Sequence, residues 1–252
     1  MRNRFVSLVF VGAAMLAFSP VVLAQTAQQS GAAKATPDLS GIWRGTAGGQ
    51  RGLAIEEPSM QPWAEERYKA ARQGRGPNVQ GRDEMDLFLP PYCMPFGMPR
   101  VYDYTDNLLF EIIQIPGRVY MLFEVNNQAR RIYTDGRKHP EGAPPTFMGH
   151  SLGRWDGDTL LVETVDLNDL TWIDWLGHPH SDALRVEERI RRVADKLEID
   201  FLFEDPKAYT KPWRGKKVFE LRPDWEMMEH HVCEDSSREE YLRKVLGGNK
   251  GP

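Results

Sequence analysis

Across 252 residues, 32 Lys and Arg stand against 36 Asp and Glu, a formal charge of −4, and 41% of the residues are hydrophobic against 27% charged. The mildly acidic balance, with no basic block and no interleaving of aromatic and basic residues, excludes a nucleic-acid binder. The length suits one domain with a sizeable core.

The chain opens on Arg2 and Arg4, an apolar run FVSLVFVGAAMLAF, and then VVLA, with Val22 and Ala24 as the small residues ahead of Gln25. That order is the pattern of a cleavable signal peptide over residues 1–24. No second hydrophobic span of membrane length follows, so the sequence predicts an exported, periplasmic or secreted protein with no membrane span. The mature chain keeps 30 basic and 36 acidic residues. Residues 25–37, QTAQQSGAAKATP, read as a flexible leader, and 38–252 as a single β-barrel domain with a helix-and-loop insert at 46–106.

Within the insert, PWAEERYKAARQG (62–74) begins on Pro, holds good helix formers and ends on Gly, so it predicts one short helix. LFLPPYCMPFGMPR (87–100) is too rich in Pro for regular structure and reads as an ordered loop. Cys93 in that loop and Cys233 are the two cysteines of the chain. In an oxidising compartment such a pair is expected to form a disulfide.

Beyond residue 107 the hydrophobic period becomes two. LLFEIIQI and RVYMLFEV flank PG, ARRIYTDG follows NNQ, and HSLGRW and TLLVETVDL flank DGD. ALRVEERIRRV and KLEIDFLFED flank AD, and WRGKKVFEL and EMMEHHVCE flank RPDW. Paired β-rich runs around turn residues are hairpin signatures. With the strand at GIW they make about ten, and an antiparallel meander of that size closes into a barrel to remove its edges. In 196–205 Leu197, Ile199, Phe201 and Phe203 take the inner face, and in 183–193 Leu184, Val186 and Ile190 do so.

Gly41, Ile42 and Trp43 resemble the Gly-x-Trp signature of lipocalin-type and other calycin barrels, in which the Trp packs across the closed end. GIWRGTAGG is also similar to the entry of nitrobindin-like haem barrels. The phrases GMPR, RRIYTDGRKHP, GHSLGRWDGDTLLVET, PHSDALRVEERIRRV and DPKAYTKPW resemble those of a family of exported bacterial proteins with no assigned activity, over roughly residues 90–235. That resemblance implies location and a β-rich fold, and it transfers no catalytic residues.

Candidate chemistry lies where polar groups share an apolar face. Glu111 faces in if Phe110 and Ile112 face out, and Glu124 joins Tyr120 and Leu122 in the other register. Glu188 interrupts the inner row of 183–193, and Lys217 sits among Trp213, Phe219 and Leu221, so the two are candidates for a structural pair. A carboxylate alone in an apolar cavity has a raised pKa suited to acid–base work. His150, and His180 as a loop-borne base near the barrel mouth, are the other catalytic candidates. His150 and Ser151 are neighbours in a strand and so point to opposite faces. The sequence calls for no cofactor, the alternatives being haem and a divalent metal on His178 and His180, joined by His150 or by His230 or His231. Tyr133, Trp172, Tyr209 and Trp213 are candidate contacts for a flat ligand. The expected function is binding of a small apolar or aromatic molecule in the barrel cavity, the alternative an isomerase, lyase or hydrolase acting there.

Overall fold

A computed structural model of the chain describes residues 36–46, 52–72, 95–104 and 109–229. Nine strands close into a barrel in sequence order: β1 (Gly41–Gly45), β2 (Leu109–Ile115), β3 (Arg118–Phe123), β4 (Gln128–Tyr133), β5 (His150–Asp156), β6 (Thr159–Val165), β7 (Arg185–Val193), β8 (Lys196–Glu204) and β9 (Trp213–Leu221). One helix, α1 (Pro62–Arg72), lies in the insert, with Lys69 and Glu65 paired one turn apart on its exposed face. Among the described residues no helix is long and apolar enough to cross a membrane.

Two turns carry the chemistry that their sequences announce. Gly117 turns β2 into β3 and Gly157 turns β5 into β6, both at positive φ, as two-residue hairpin loops demand. Between β7 and β8, Ala194 takes a φ of 52° although it is not glycine. The expected signal peptide (residues 1–24), Cys93, Cys233, His230 and His231 lie outside the described residues.

Two expectations about the sheet change. β9 pairs with β8 on one side and β1 on the other, leaving no edge for a tenth strand, and Glu226–Glu229 of the expected run is not a strand. β4 and β5 are parallel rather than antiparallel. The chain between them does not turn back: residues 134–149 cross over the outside, pinned where Thr146 N donates to Asp166 O at 2.9 Å and Asn168 N to Thr146 O at 3.0 Å.

The inner faces of β7 and β8 are those read from the sequence. On β2 the register settles the open choice. Phe110 and Ile112 face in and Ile113 is 38% exposed, so Glu111 sits on the outer wall and not in the interior. On β3 Val119, Met121 and Phe123 face in. The interior is not left as an open apolar cavity around these residues. Tyr102, carried by a short 3-10 turn (Arg100–Tyr104), inserts among Phe110, Phe123, Phe201 and Phe219, with ring centres 5.6 to 6.1 Å away. Trp43 is fully buried, donates from Nε1 to Leu39 O at 3.1 Å, and carries the Arg192 guanidinium over its ring.

Candidate functional site

The weakest join of the barrel makes the site. β4 and β5 share only the pairs Ile132↔Ser151 and Tyr133↔Leu152, so residues 128–131 have no ladder partner on that side. A groove of about 460 Å³ opens there, with Pro95, Phe147, Met148 and Tyr133 among its apolar walls and Arg131 and His150 among its polar ones. Its far wall is held tightly. Met98 N donates to Phe147 O at 2.8 Å and Gly97 N to Gln128 Oε1 at 3.1 Å. A Cβ on Gly97 would stand 2.6 Å from Phe147 O, so only glycine permits that approach.

Alternation along β5 sends Ser151 inward and His150 to the outer, groove side. The His150 ring stacks on Tyr133, with centroids 5.2 Å apart and planes at 19°. The Arg137 guanidinium covers Tyr133 at 4.0 Å. His150 Nδ1 is 2.8 Å from Nδ1 of His139 in the crossover, and His139 Nε2 is 3.0 Å from Glu163 Oε1 on β6. Glu163 also accepts from Arg185 Nε at 2.8 Å. Burial pushes the Glu163 carboxyl up, but the Arg185 guanidinium and His139 outweigh it and hold it below the ordinary carboxylate range.

The Glu163 carboxylate fixes one end of this line. An ionised carboxylate only accepts, so His139 carries its proton on Nε2. In the tautomer where His139 accepts at Nδ1, His150 donates from Nδ1 and its Nε2 is left as a lone pair. That atom has no hydrogen-bond partner among the described residues and is not buried. Burial, and then the adjacent His139, hold His150 below the ordinary histidine value, so its neutral form prevails at pH 7.

Behind the groove lies a buried polar cluster centred on Arg130. Arg130 grips Glu188 through both terminal nitrogens, Nη1 to Oε1 at 2.9 Å and Nη2 to Oε2. It also donates to Tyr102 Oη at 2.6 Å, Ser151 Oγ at 3.2 Å and Thr164 Oγ1 at 2.8 Å. Glu188, 1% exposed, is therefore not a lone carboxylate in an apolar cavity. Nor does it pair with Lys217, whose Nζ donates to Asp103 Oδ1 at 2.8 Å. Glu124 caps strand ends instead, accepting from Leu109 N at 2.7 Å and Met228 N at 2.9 Å.

The remaining candidates lie in the packed core. His180 is 1% exposed rather than at a mouth, with Nε2 3.1 Å from Thr171 Oγ1 and Nδ1 donating to Ser181 O. His178 is bound to buried Asp174 at 2.7 Å and stacked on Tyr68 of α1, so the two histidines have separate partners. No group of three His, Cys, Asp or Glu among the described residues is placed to hold a metal ion. Tyr209 donates to Pro179 O at 2.7 Å and packs on Trp213, which also meets Phe203 and His178. Trp172 is buried beneath the Arg67 and Arg100 guanidinium groups. Of the four candidate ligand contacts Tyr133 alone is among the groove residues.

Sequence reasoning missed Arg130, Tyr102, Thr164, Glu163 and His139. Arg130 was marked by its parity with buried Ile132 on β4. Nothing local marks His139 or Glu163, which meet only across the crossover.

Fold and site together define a closed β-barrel bearing a groove on its wall, lined by apolar residues and a few polar ones. Neither a family model nor a curated protein matches the chain. Among solved structures the chain is similar to a secretary abundant heat soluble (SAHS) protein from Ramazzottius varieornatus, at 12% identity over 73% of this chain and 95% of that one, with a TM-score of 0.34.

Proposed function

We propose that the protein is exported and binds a small aromatic molecule in the groove of the β4–β5 seam. The observation that carries this reading is the groove of about 460 Å³ walled by Tyr133, Phe147 and Met148. Its volume falls in the range of small-molecule sites, roughly 300–1,000 Å³, and its mix of apolar walls with a few polar groups is typical of them. The Tyr133 ring, stacked on His150 and covered by Arg137, lines the opening. Export rests on the signal-peptide pattern of residues 1–24 and on the resemblance to exported bacterial proteins.

The test is a fluorescence titration of the full chain with small aromatic acids and phenols, run in parallel on Tyr133→Ala and Met148→Ala. Saturable binding that both substitutions weaken supports the groove. Binding indifferent to both places the ligand elsewhere and defeats the reading.

A further inference from the structure

We propose that the groove is catalytic: His150 is the general base of a proton shift on a small aromatic carboxylate carrying an acidic C–H next to a carbonyl. This rests on the groove reading above and narrows it to a substrate class and a reaction.

Three observations converge. The lone pair of His150 Nε2 is unpartnered among the described residues and unburied, in the wall of a groove that admits a ring. Its Nδ1 is tied through His139 to Glu163, at 2.8 and 3.0 Å. Arg131 lines the same groove and makes no ion pair among the described residues. Arg131 and His150 each stand one residue ahead of the first pair of the seam, Ile132↔Ser151. A carboxylate on Arg131 and a ring against the Phe147 and Met148 wall bring the atom between them toward Nε2.

The step balances on the residues present. The C–H bond breaks, its electron pair enters the enolate, and the proton goes to His150 Nε2. The Nδ1 proton of His150 shifts to Nδ1 of His139, so the positive charge comes to rest beside the Glu163 carboxylate. Returning the proton to the enolate oxygen gives the enol. Nothing is oxidised, no atom is gained or lost, and no co-reactant is needed. A hydrolase needs a placed water and a lyase a leaving group, whereas one base completes a keto–enol shift. His139, Arg137 and Asp166 act on the charge of His150, and Tyr133 and Arg131 line the groove with it.

Phenylpyruvate is the probe. Its binding is measured by calorimetry, and deuterium uptake at its benzylic carbon in D₂O is followed by proton NMR against the protein-free rate. The wild-type chain is expected to bind it and accelerate exchange. His150→Asn is expected to retain binding and lose about 10²-fold or more of the acceleration, the usual contribution of a general base. His139 is a positioning residue. His139→Gln is expected to lower the rate and to move the pH–rate inflection upward, because the neighbouring ring no longer opposes protonation of His150. A merely structural role for His139 lowers stability and leaves the inflection in place. Circular dichroism confirms that each variant folds, and His150→Gln serves if His150→Asn does not. Binding without accelerated exchange overturns the base and leaves the groove standing. Failure to bind overturns the groove reading and the inference with it.

Discussion

Arg130 on β4 and Glu188 on β7 form a bidentate ion pair inside the barrel, and Tyr102, Ser151 and Thr164 take up the donors that the carboxylate leaves. Removing one partner strands the other charge in the core, so Arg130→Met or Glu188→Gln is expected to cost about 3–5 kcal/mol. Replacing both at once, as Arg130→Met with Glu188→Leu, removes the stranded charge and is expected to recover most of that loss. Urea denaturation of the three variants measures it. A double variant no more stable than the singles defeats this account.

His180 gives folding a pH dependence of known sign. Burial holds it below the ordinary value of 6.5 in the native protein, while unfolded histidine titrates near 6.5. As pH falls below about 6.5 the unfolded chain takes up this proton first, so stability is complete above that value and declines towards the native pKa. His150 acts in the same direction. Denaturation midpoints compared at about pH 8 and about pH 5 should fall less in His180→Gln than in wild type. An equal fall in both removes His180 from the effect.

Gly215 on β9 is a packing requirement. A Cβ there would stand 2.7 Å from Leu53 O and 2.8 Å from Phe203 Cε2. The insert segment lies directly against the strand, with Lys216 N donating to Leu53 O at 2.9 Å and Ile55 N to Arg214 O at 3.1 Å. Gly215→Ala is expected to cost about 1–3 kcal/mol by pushing this segment off the wall. Hydrogen exchange at Ile55 and Lys216 should accelerate in the variant. Unchanged protection at both amides contradicts the contact.

Tyr133 lines the groove and contributes little to the core. Tyr133→Leu is expected to weaken an aromatic ligand by about 0.5–1.5 kcal/mol, roughly 2- to 12-fold in Kd. The melting temperature should change far less than in Arg130→Met. A large loss of stability in Tyr133→Leu marks the ring as structural.

The helix, the hairpin turns at Gly117 and Gly157, and the inner faces of β7 and β8 were legible because each follows from local spacing: a Pro-led run of helix formers, glycine between paired runs, strict alternation of apolar and charged residues. The opposed faces of His150 and Ser151 were legible for the same reason. Where both faces of a strand are apolar, as on β2, alternation carries no preference, and burial of Phe110 and Ile112 in the closed barrel decided that Glu111 faces out. A strand count from runs also overlooks closure, since β1 occupies the edge that a tenth strand would need.

By itself, then, the sequence determined a β-rich chain, which residues alternate, and where it turns. Tertiary structure decided that β4 and β5 run parallel with a two-pair seam, that Glu188 finds Arg130 and Lys217 finds Asp103, and that Glu163, His139 and His150 form a line. The reason is distance along the chain. Periodicity reports which way a side chain points relative to its neighbours within a strand. The partner of a buried charge is set by register and crossover between strands far apart in sequence, and no local pattern encodes that.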